Sequence, residues 1–212
     1  PAFPTRLIDL DVDNDAATSH FVAELHARDQ EVALRAGQRF MPRLAPIAAP
    51  ATAPFGDVQL RDDATYLITG GAGGLGGVAA RRFAQAGAGC VVLCGRRAEP
   101  PADLAAWLAG EPRGRYVALD VSDRAAVARL VHDVQASRRP LRGVIHAAGV
   151  LADVTLDRLS ARDFAAVMSA KCDGAVNLDL ETAGVPLEFF VVFSSAAALI
   201  GSPGQANYAA AN

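Results

Sequence analysis

The sequence is short of several residue types and patterns, and each shortage closes off a class of function. Three cysteines (Cys90, Cys94, Cys172) are too few for a disulfide framework and fit a reducing, cytoplasmic setting. Cys90 and Cys94 share one face of an expected strand, where they read as small apolar packing. The four histidines, His20, His26, His132 and His146, show no metal-ligand spacing, so no metal site is expected. No charged-then-apolar leader opens the chain. The apolar run from Phe189 to Ile200 is interrupted by Ser194-Ser195 and is too short to span a bilayer, so no membrane partner is expected. A formal charge of −3, with the arginines scattered rather than gathered into a stripe, argues against a nucleic-acid partner. Ser195 stands outside any Gly-x-Ser-x-Gly elbow, which disfavours serine hydrolysis. Lysine is almost missing: among 20 basic residues the only one is Lys171.

What is present suffices for a folded enzyme-sized core. With 212 residues, 51% of them hydrophobic and 20% charged, the chain can build one full core and a smaller appendage. Residues 1–56 form the appendage. Leu7 to Val12 reads as a strand, and Ala16 to His26 as a short helix begun by Asn14 or Asp15. Glu31 to Arg35 and Arg39 to Met41 read as a hairpin turning at Ala36-Gly37, with Pro42 confining the second strand to an edge. The stretch from Ala45 to Gly56, with Pro46, Pro50 and Pro54, reads as an extended linker, and the domain boundary is placed at its end, before residues 57–212.

From Val58 onward strands alternate with helices. Strands are expected over 65–69, 90–94, 115–119, 143–147 and 189–194, and helices over 75–87, 101–110, 123–138, 160–183 and 205–212. The alternation predicts an α/β fold with a Rossmann-like, doubly wound parallel sheet. Near-continuous apolar runs such as Phe189 to Phe193 suit strands covered on both faces. Ligands in such sheets bind beyond the carboxyl ends of the strands. Gly70, Arg96, Asp120, His146 and Ser195 all fall at or just after those ends.

The stretch Thr69-Gly70-Gly71-Ala72-Gly73-Gly74-Leu75-Gly76 follows the apolar run Tyr66-Leu67-Ile68 and opens into a helical pattern. It reads either as a connecting turn or as a dinucleotide cradle. In the second reading Gly70 makes the tight turn, Gly74 lets the backbone approach a pyrophosphate and Gly76 allows close helix–strand packing. A Walker loop is excluded because Gly77-Val78, rather than Lys-Ser/Thr, follows Gly76. Arg96 and Arg97 stand where an NAD-binding fold would place an acid on the ribose, and a positive pair there suits the 2′-phosphate of NADPH; otherwise they are solvated loop arginines. In Leu119-Asp120-Val121, Asp120 either accepts from an adenine amino group or serves as a local turn former capping the next helix.

Tyr208 and Asn212 lie one helical turn apart, with Ser195 upstream at a strand end, a set suited to proton transfer to a carbonyl. A phenol with an ordinary pKa of about 10 needs a cation nearby to work at neutral pH, and Asn212 cannot be that cation. Lys171, on a helix begun by Ser160, is the candidate. His146, in His146-Ala147-Ala148-Gly149, reads as a strand-end residue shaping the nicotinamide pocket rather than as a general base.

These stretches together, with Lys171-Cys172-Asp173-Gly174, Phe193-Ser194-Ser195 and Gly204 to Asn212, resemble the ketoreductase domain of polyketide synthases, a specialised branch of the short-chain dehydrogenase/reductases. Ordinary members of that superfamily carry lysine four residues after the tyrosine. Here Asn212 occupies that place and Lys171 takes the place of their asparagine, the exchange that marks the synthase branch.

The resemblance implies NADPH-dependent reduction of a β-ketoacyl thioester on an acyl carrier protein, among neighbouring synthase domains. It implies Tyr208, Ser195, Lys171 and Asn212 as the catalytic set. The coenzyme would be held by the glycine turn, Arg96, Arg97, Asp120, Val121 and the turn His146 to Gly149. It makes residues 1–56 the end of a structural subdomain and places the last strands and the substrate lid beyond Asn212. Leu151-Ala152-Asp153 partly matches the Leu-Asp-Asp stretch of members that leave a D-configured hydroxyl, and Ile200 stands where members leaving the L-configured hydroxyl carry tryptophan. The expected product is therefore the D-alcohol. Two other readings remain: a free-standing dehydrogenase for small alcohols and a non-catalytic, reductase-like scaffold.

Overall fold

A computed structural model describes residues 5–11, 15–46 and 59–212. The chain divides into two compact units, Pro1–Gly56 and Asp57–Asn212. Val12, Asn14 and most of the proline-rich linker, for which the sequence carries expectations, lie outside the described residues.

The first unit is a three-stranded sheet. Strand β1 (Leu7–Leu10) pairs in parallel with β2 (Glu31–Arg35) across helix α1 (Asp15–Glu24), and β3 (Gln38–Phe40) returns antiparallel to β2 at the edge. The reversal runs through Ala36 and Gly37, both at positive φ, as a tight hairpin requires. Its buried interior is small, with Val32 and Leu34 inward, and the side chain of Glu24 is neutralised there by Arg39 at 2.5 Å.

The second unit carries the parallel sheet. Its elements are β4 (Thr65–Thr69), α2 (Gly74–Gln85), β5 (Cys90–Gly95), α3 (Ala102–Gly110), β6 (Gly114–Ala118), α4 (Arg124–Gln135), β7 (Leu141–His146), α5 (Ala161–Met168), α6 (Gly174–Thr182), β8 (Phe189–Val192), α7 (Ala197–Ile200) and α8 (Ala206–Ala211). The strand order is β6-β5-β4-β7-β8, every pair parallel. The order reverses between β4 and β7, which opens a crevice at their carboxyl ends.

Alternate residues of each strand feed opposite cores. Leu67, Val92 and Val144 meet Val127, Leu130, Val131 and Val134 of α4 and Leu178 of α6. Tyr66, Ile68, Val91, Leu93 and Ile145 meet Ala80 of α2 and Leu104 of α3. The apolar runs of β4, β5 and β7 are thus explained by coverage on both faces. β8 is last in the strand order among the described residues, and its Val191 and Val192 are exposed.

Two differences concern local geometry. The single helix expected over 160–183 starts at a capping box between Ser160 and Asp163, but a π-helical turn, Ser169–Asp173, separates α5 from α6. β8 ends at Val192, and the short helix α7 follows Ser195 where no element was expected. Among the described residues no helix is long and apolar enough to cross a membrane, and no cluster of His, Cys, Asp or Glu could hold a metal ion.

Candidate active site

The glycine turn leaves β4 at the switch point. Gly70 takes φ +65°, and a Cβ there would lie 2.5 Å from the Ala147 carbonyl oxygen at the exit of β7. Only glycine fits both demands. Gly73 donates to the Gly70 oxygen at 2.8 Å, and Gly71 to Cys94 O at 3.1 Å, so the turn is tied to itself and to β5. A Cβ at Gly76 would meet that same Gly70 oxygen at 2.5 Å, whereas one at Gly74 would have nothing within 4 Å. The first N–H groups of α2 precede its first intrahelical bond, Gly77 N–H to Gly73 O. No side chain caps them and no acid stands in the first turn. An uncapped helix start beside open space at Gly74 fits an anionic diphosphate.

In front of the turn lie two cleft lobes that share Gly70, Gly73, Gly149 and Val150. The first, about 530 Å³, is lined by Gly95, Arg96, Arg97, Asp120, Val121 and Ala148 among others. The second, about 370 Å³, is lined by Leu75, Ala147, Leu151, Lys171, Phe193, Ser194 and Tyr208 in addition. Thr69, Gly71 and His146 are buried behind these walls and line neither lobe.

In the first lobe Arg96 and Arg97 are exposed, and the Tyr116 hydroxyl donates to the Arg97 carbonyl at 2.9 Å, which steadies their loop. The Oδ1 of Asp120 accepts from the Ser122 N–H at 3.0 Å and its hydroxyl at 2.8 Å, an Asx turn. The cap of α4 is Asp123, which accepts from Ala126 N–H at 3.0 Å, so Asp120 forms a local turn but does not cap the helix. The Ser122 N–H foremost, with help from the Ser122 hydroxyl and the Arg96 charge, holds the Asp120 carboxyl below its usual range.

The second lobe gathers the proton-transfer candidates. Lys171 is 9% exposed, and its Nζ donates to Phe193 O at 2.8 Å while standing 5.7 Å from the centre of the Tyr208 ring. Burial lowers the amine's pKa from its ordinary 10.5. The stem of Lys171 passes Gly149, where a Cβ would touch Cε at 3.1 Å. Asn212 Nδ2 donates to Tyr208 O at 2.7 Å, one turn back as expected. Ser194 is the serine that lines the lobe, with Ser195 next to it after the end of β8. The Ser195 Oγ accepts from Ala197 N–H at 3.2 Å at the start of α7, which leaves its O–H proton available to a substrate oxygen.

His146 differs from expectation. At 1% exposure it does not shape the pocket wall, and both ring nitrogens are engaged, Nδ1 with Thr69 Oγ1 at 2.7 Å and Nε2 with Lys171 O at 3.0 Å. Leu151 is exposed on the second lobe, and Asp153 accepts from Gln205 Nε2 at 3.0 Å, three residues before Tyr208.

Two asparagines escaped sequence reasoning. Asn207 is fully buried; it accepts from Tyr208 N–H at 2.8 Å and donates to Ala152 O at 2.9 Å, joining α8 to the Leu151–Asp153 loop. Asn177 donates to Val121 O at 2.9 Å and Ser122 O at 3.0 Å, holding the loop after β6. A poor helix former inside a helix pattern was the only available signal at either place.

Comparison with known proteins was consistent with this geometry. A family model described as "KR domain" matches residues 64–212. The chain is 48% identical over 155 residues to the phenolphthiocerol synthesis polyketide synthase type I Pks15/1 of Mycobacterium bovis, covering 71% of this chain and 7% of that protein. It is 44% identical over 160 residues to the polyketide synthase ThaG of Burkholderia thailandensis, covering 75% of this chain and 3% of that one. Among solved structures, the PlmKR1 ketoreductase from the first module of phoslactomycin biosynthesis in Streptomyces sp. HK803 superposes with a TM-score of 0.85 at 38% identity, covering 98% of this chain and 48% of that one. The chain thus spans about half of that ketoreductase and a small part of the two synthases.

Proposed function

The chain belongs to the KR domain family of polyketide synthases, and on that footing we propose that it reduces a β-ketoacyl thioester, presented by an acyl carrier protein, to the β-hydroxyacyl thioester with NADPH. The observation that carries the reading is the second lobe. There the chain's only lysine is buried beside the ring of Tyr208, in a cleft that shares its floor with the glycine turn. A lone buried cation is costly unless it acts on something, and the group it faces is the phenol among the residues lining the lobe.

The residues present fit the coenzyme. The uncapped start of α2 and the open space at Gly74 would hold the diphosphate, Arg96 the 2′-phosphate, and Asp120, Val121 and Gly149 the walls along its length. When bound, NADPH supplies the hydride.

The chain's own groups then handle the proton and the charge. The Tyr208 hydroxyl gives its proton to the oxygen of the reduced carbonyl. The Lys171 ammonium stabilises the phenolate left behind, working at short range in a partly desolvated lobe. The free Ser195 proton bonds the substrate oxygen. Asn212 ties the helix turn that carries Tyr208. Phe193 O fixes one of the three ammonium donors, which leaves two to face the lobe.

The D-configured product remains the favoured outcome. Asp153 accepts from Gln205 Nε2, which ties it to the start of the Tyr208 helix. The test is a coupled one: the full-length protein containing this sequence is titrated with NADPH and then given a β-ketoacyl thioester, with chiral analysis of the alcohol. Tight NADPH binding with reduction supports the reading. Failure to bind the coenzyme overturns it.

A further inference from the structure

His146 uses both ring nitrogens inside the protein, Nδ1 on the Thr69 side chain and Nε2 on the Lys171 backbone. A carbonyl oxygen only accepts, so the 3.0 Å bond to Lys171 O requires a proton on Nε2. The ring is then neutral with Nδ1 as acceptor, and the Thr69 hydroxyl donates to it at 2.7 Å. Burial pushes the imidazole pKa down from its ordinary 6.5, which keeps that neutral form at physiological pH.

The carbonyl that His146 holds sits in an unusual place. Through Ser169–Asp173 the helix widens into a π-turn, and the Gly174 N–H is shared between Ser169 O, five residues back, and Lys171 O, three back. A carbonyl served by a shared donor has room for a second one, and His146 supplies it. The ring reaches that site because residue 174 is glycine: a Cβ there would lie 3.0 Å from His146 Cε1 and 2.7 Å from Val121 Cγ2. π-turns concentrate at functional sites because they re-aim a side chain without ending the helix.

We infer that His146 is a positioning residue for Lys171: by clamping the Lys171 carbonyl to Thr69 at the end of β4, it holds the π-turn that aims the lysine ammonium into the lobe of Tyr208. The inference rests on the reading that Lys171 and Tyr208 serve proton transfer. It also links the strand that launches the coenzyme turn to the residue that serves the proton, through two hydrogen bonds.

Lys171 is the only lysine of this sequence, so a Lys171→Arg control identifies its signal in the [13Cε]lysine NMR spectrum of the full-length protein. His146→Phe keeps the ring's bulk and removes both bonds; the Lys171 signal should then titrate closer to 10.5 than in the parent protein, as the amine leaves its buried place. His146→Gln, which retains an amide donor, should restore the parent titration at least in part. In the full-length protein, His146→Phe should lower kcat by about 10²-fold with the NADPH Kd within about twofold, the pattern of a misplaced catalytic group. Should His146→Phe fail to fold, Thr69→Val frees Nδ1 alone and should shift the same signal. An unchanged Lys171 titration in a folded His146→Phe or Thr69→Val protein overturns the inference, whatever happens to stability. An inactive parent protein whose Lys171 signal still moves would refute the proposed reaction and leave the clamp standing.

Discussion

Gly74 and Gly76 lie two residues apart on one helix and should respond to the same substitution in opposite ways. A Cβ at Gly76 would sit 2.5 Å from the Gly70 carbonyl oxygen and 2.8 Å from Gly71 Cα, both backbone atoms of a turn that cannot retreat. Overpacking of this kind costs about 1–3 kcal/mol. Gly76→Ala should therefore lower the Tm of the Asp57–Asn212 unit by roughly 2–12 °C, at about 2–4 °C per kcal/mol. At Gly74 a Cβ meets nothing, and replacing glycine by alanine in a helix interior gains about 1 kcal/mol. Gly74 is the first residue of α2, so roughly half of that applies, and Gly74→Ala should raise Tm by about 1–2 °C. The same methyl would occupy the space assigned to the diphosphate. Loss of even one charge-assisted bond, about 1.5–3 kcal/mol, weakens NADPH binding by about tenfold or more. Thermal melts of the two variants, paired with a fluorescence titration of NADPH, read both quantities. A more stable Gly74→Ala protein that binds NADPH as well as the parent would refute the placement of the diphosphate. A Gly76→Ala protein with an unchanged Tm would refute the packing at the turn.

Lys171→Met should cut reduction by about 10²-fold while leaving Tm unchanged or slightly raised, because the fold no longer has to desolvate an amine; steady-state rates and a melt check both halves. Arg96→Ala should reduce the preference for NADPH over NADH by about tenfold, the value of one charge-assisted contact, and an unmoved ratio of kcat/KM would place the 2′-phosphate elsewhere. The depressed His146 pKa makes stability depend on pH in a defined sense. The unfolded chain binds a proton at 6.5 and the folded one only below that, so stability is complete above 6.5 and falls as the pH drops from there towards the folded value. Urea melts at pH 7.5 and 5.5 should show that loss in the parent protein, and a smaller loss in His146→Gln, which has no imidazole to protonate.

Local patterns in the sequence were sufficient for the doubly wound sheet and for which residues fall at its rim. Apolar runs of strand length alternating with helical periodicity do not depend on distant residues, and neither does a glycine stretch between a strand and a helix. The boundaries of β4 and the capping box at Ser160 follow from the same short-range rules. The single lysine in an arginine-rich chain was likewise visible at once, since scarcity needs no coordinates.

What tertiary structure alone decided was which of these groups touch. The π-turn at Ser169–Asp173 has no residue signature; a helix tolerates the extra residue because His146, 25 positions earlier in sequence, offers the Lys171 carbonyl a second donor. The same holds for Ser194 lining the cleft while α7 draws the Ser195 Oγ to the Ala197 N–H. Asn207 reads as an ordinary polar residue until folding buries it completely between Ala152 and Tyr208. Propensity and periodicity act within a few residues, whereas the partner of a buried donor or acceptor is whichever group the packed sheet brings within 3 Å of it.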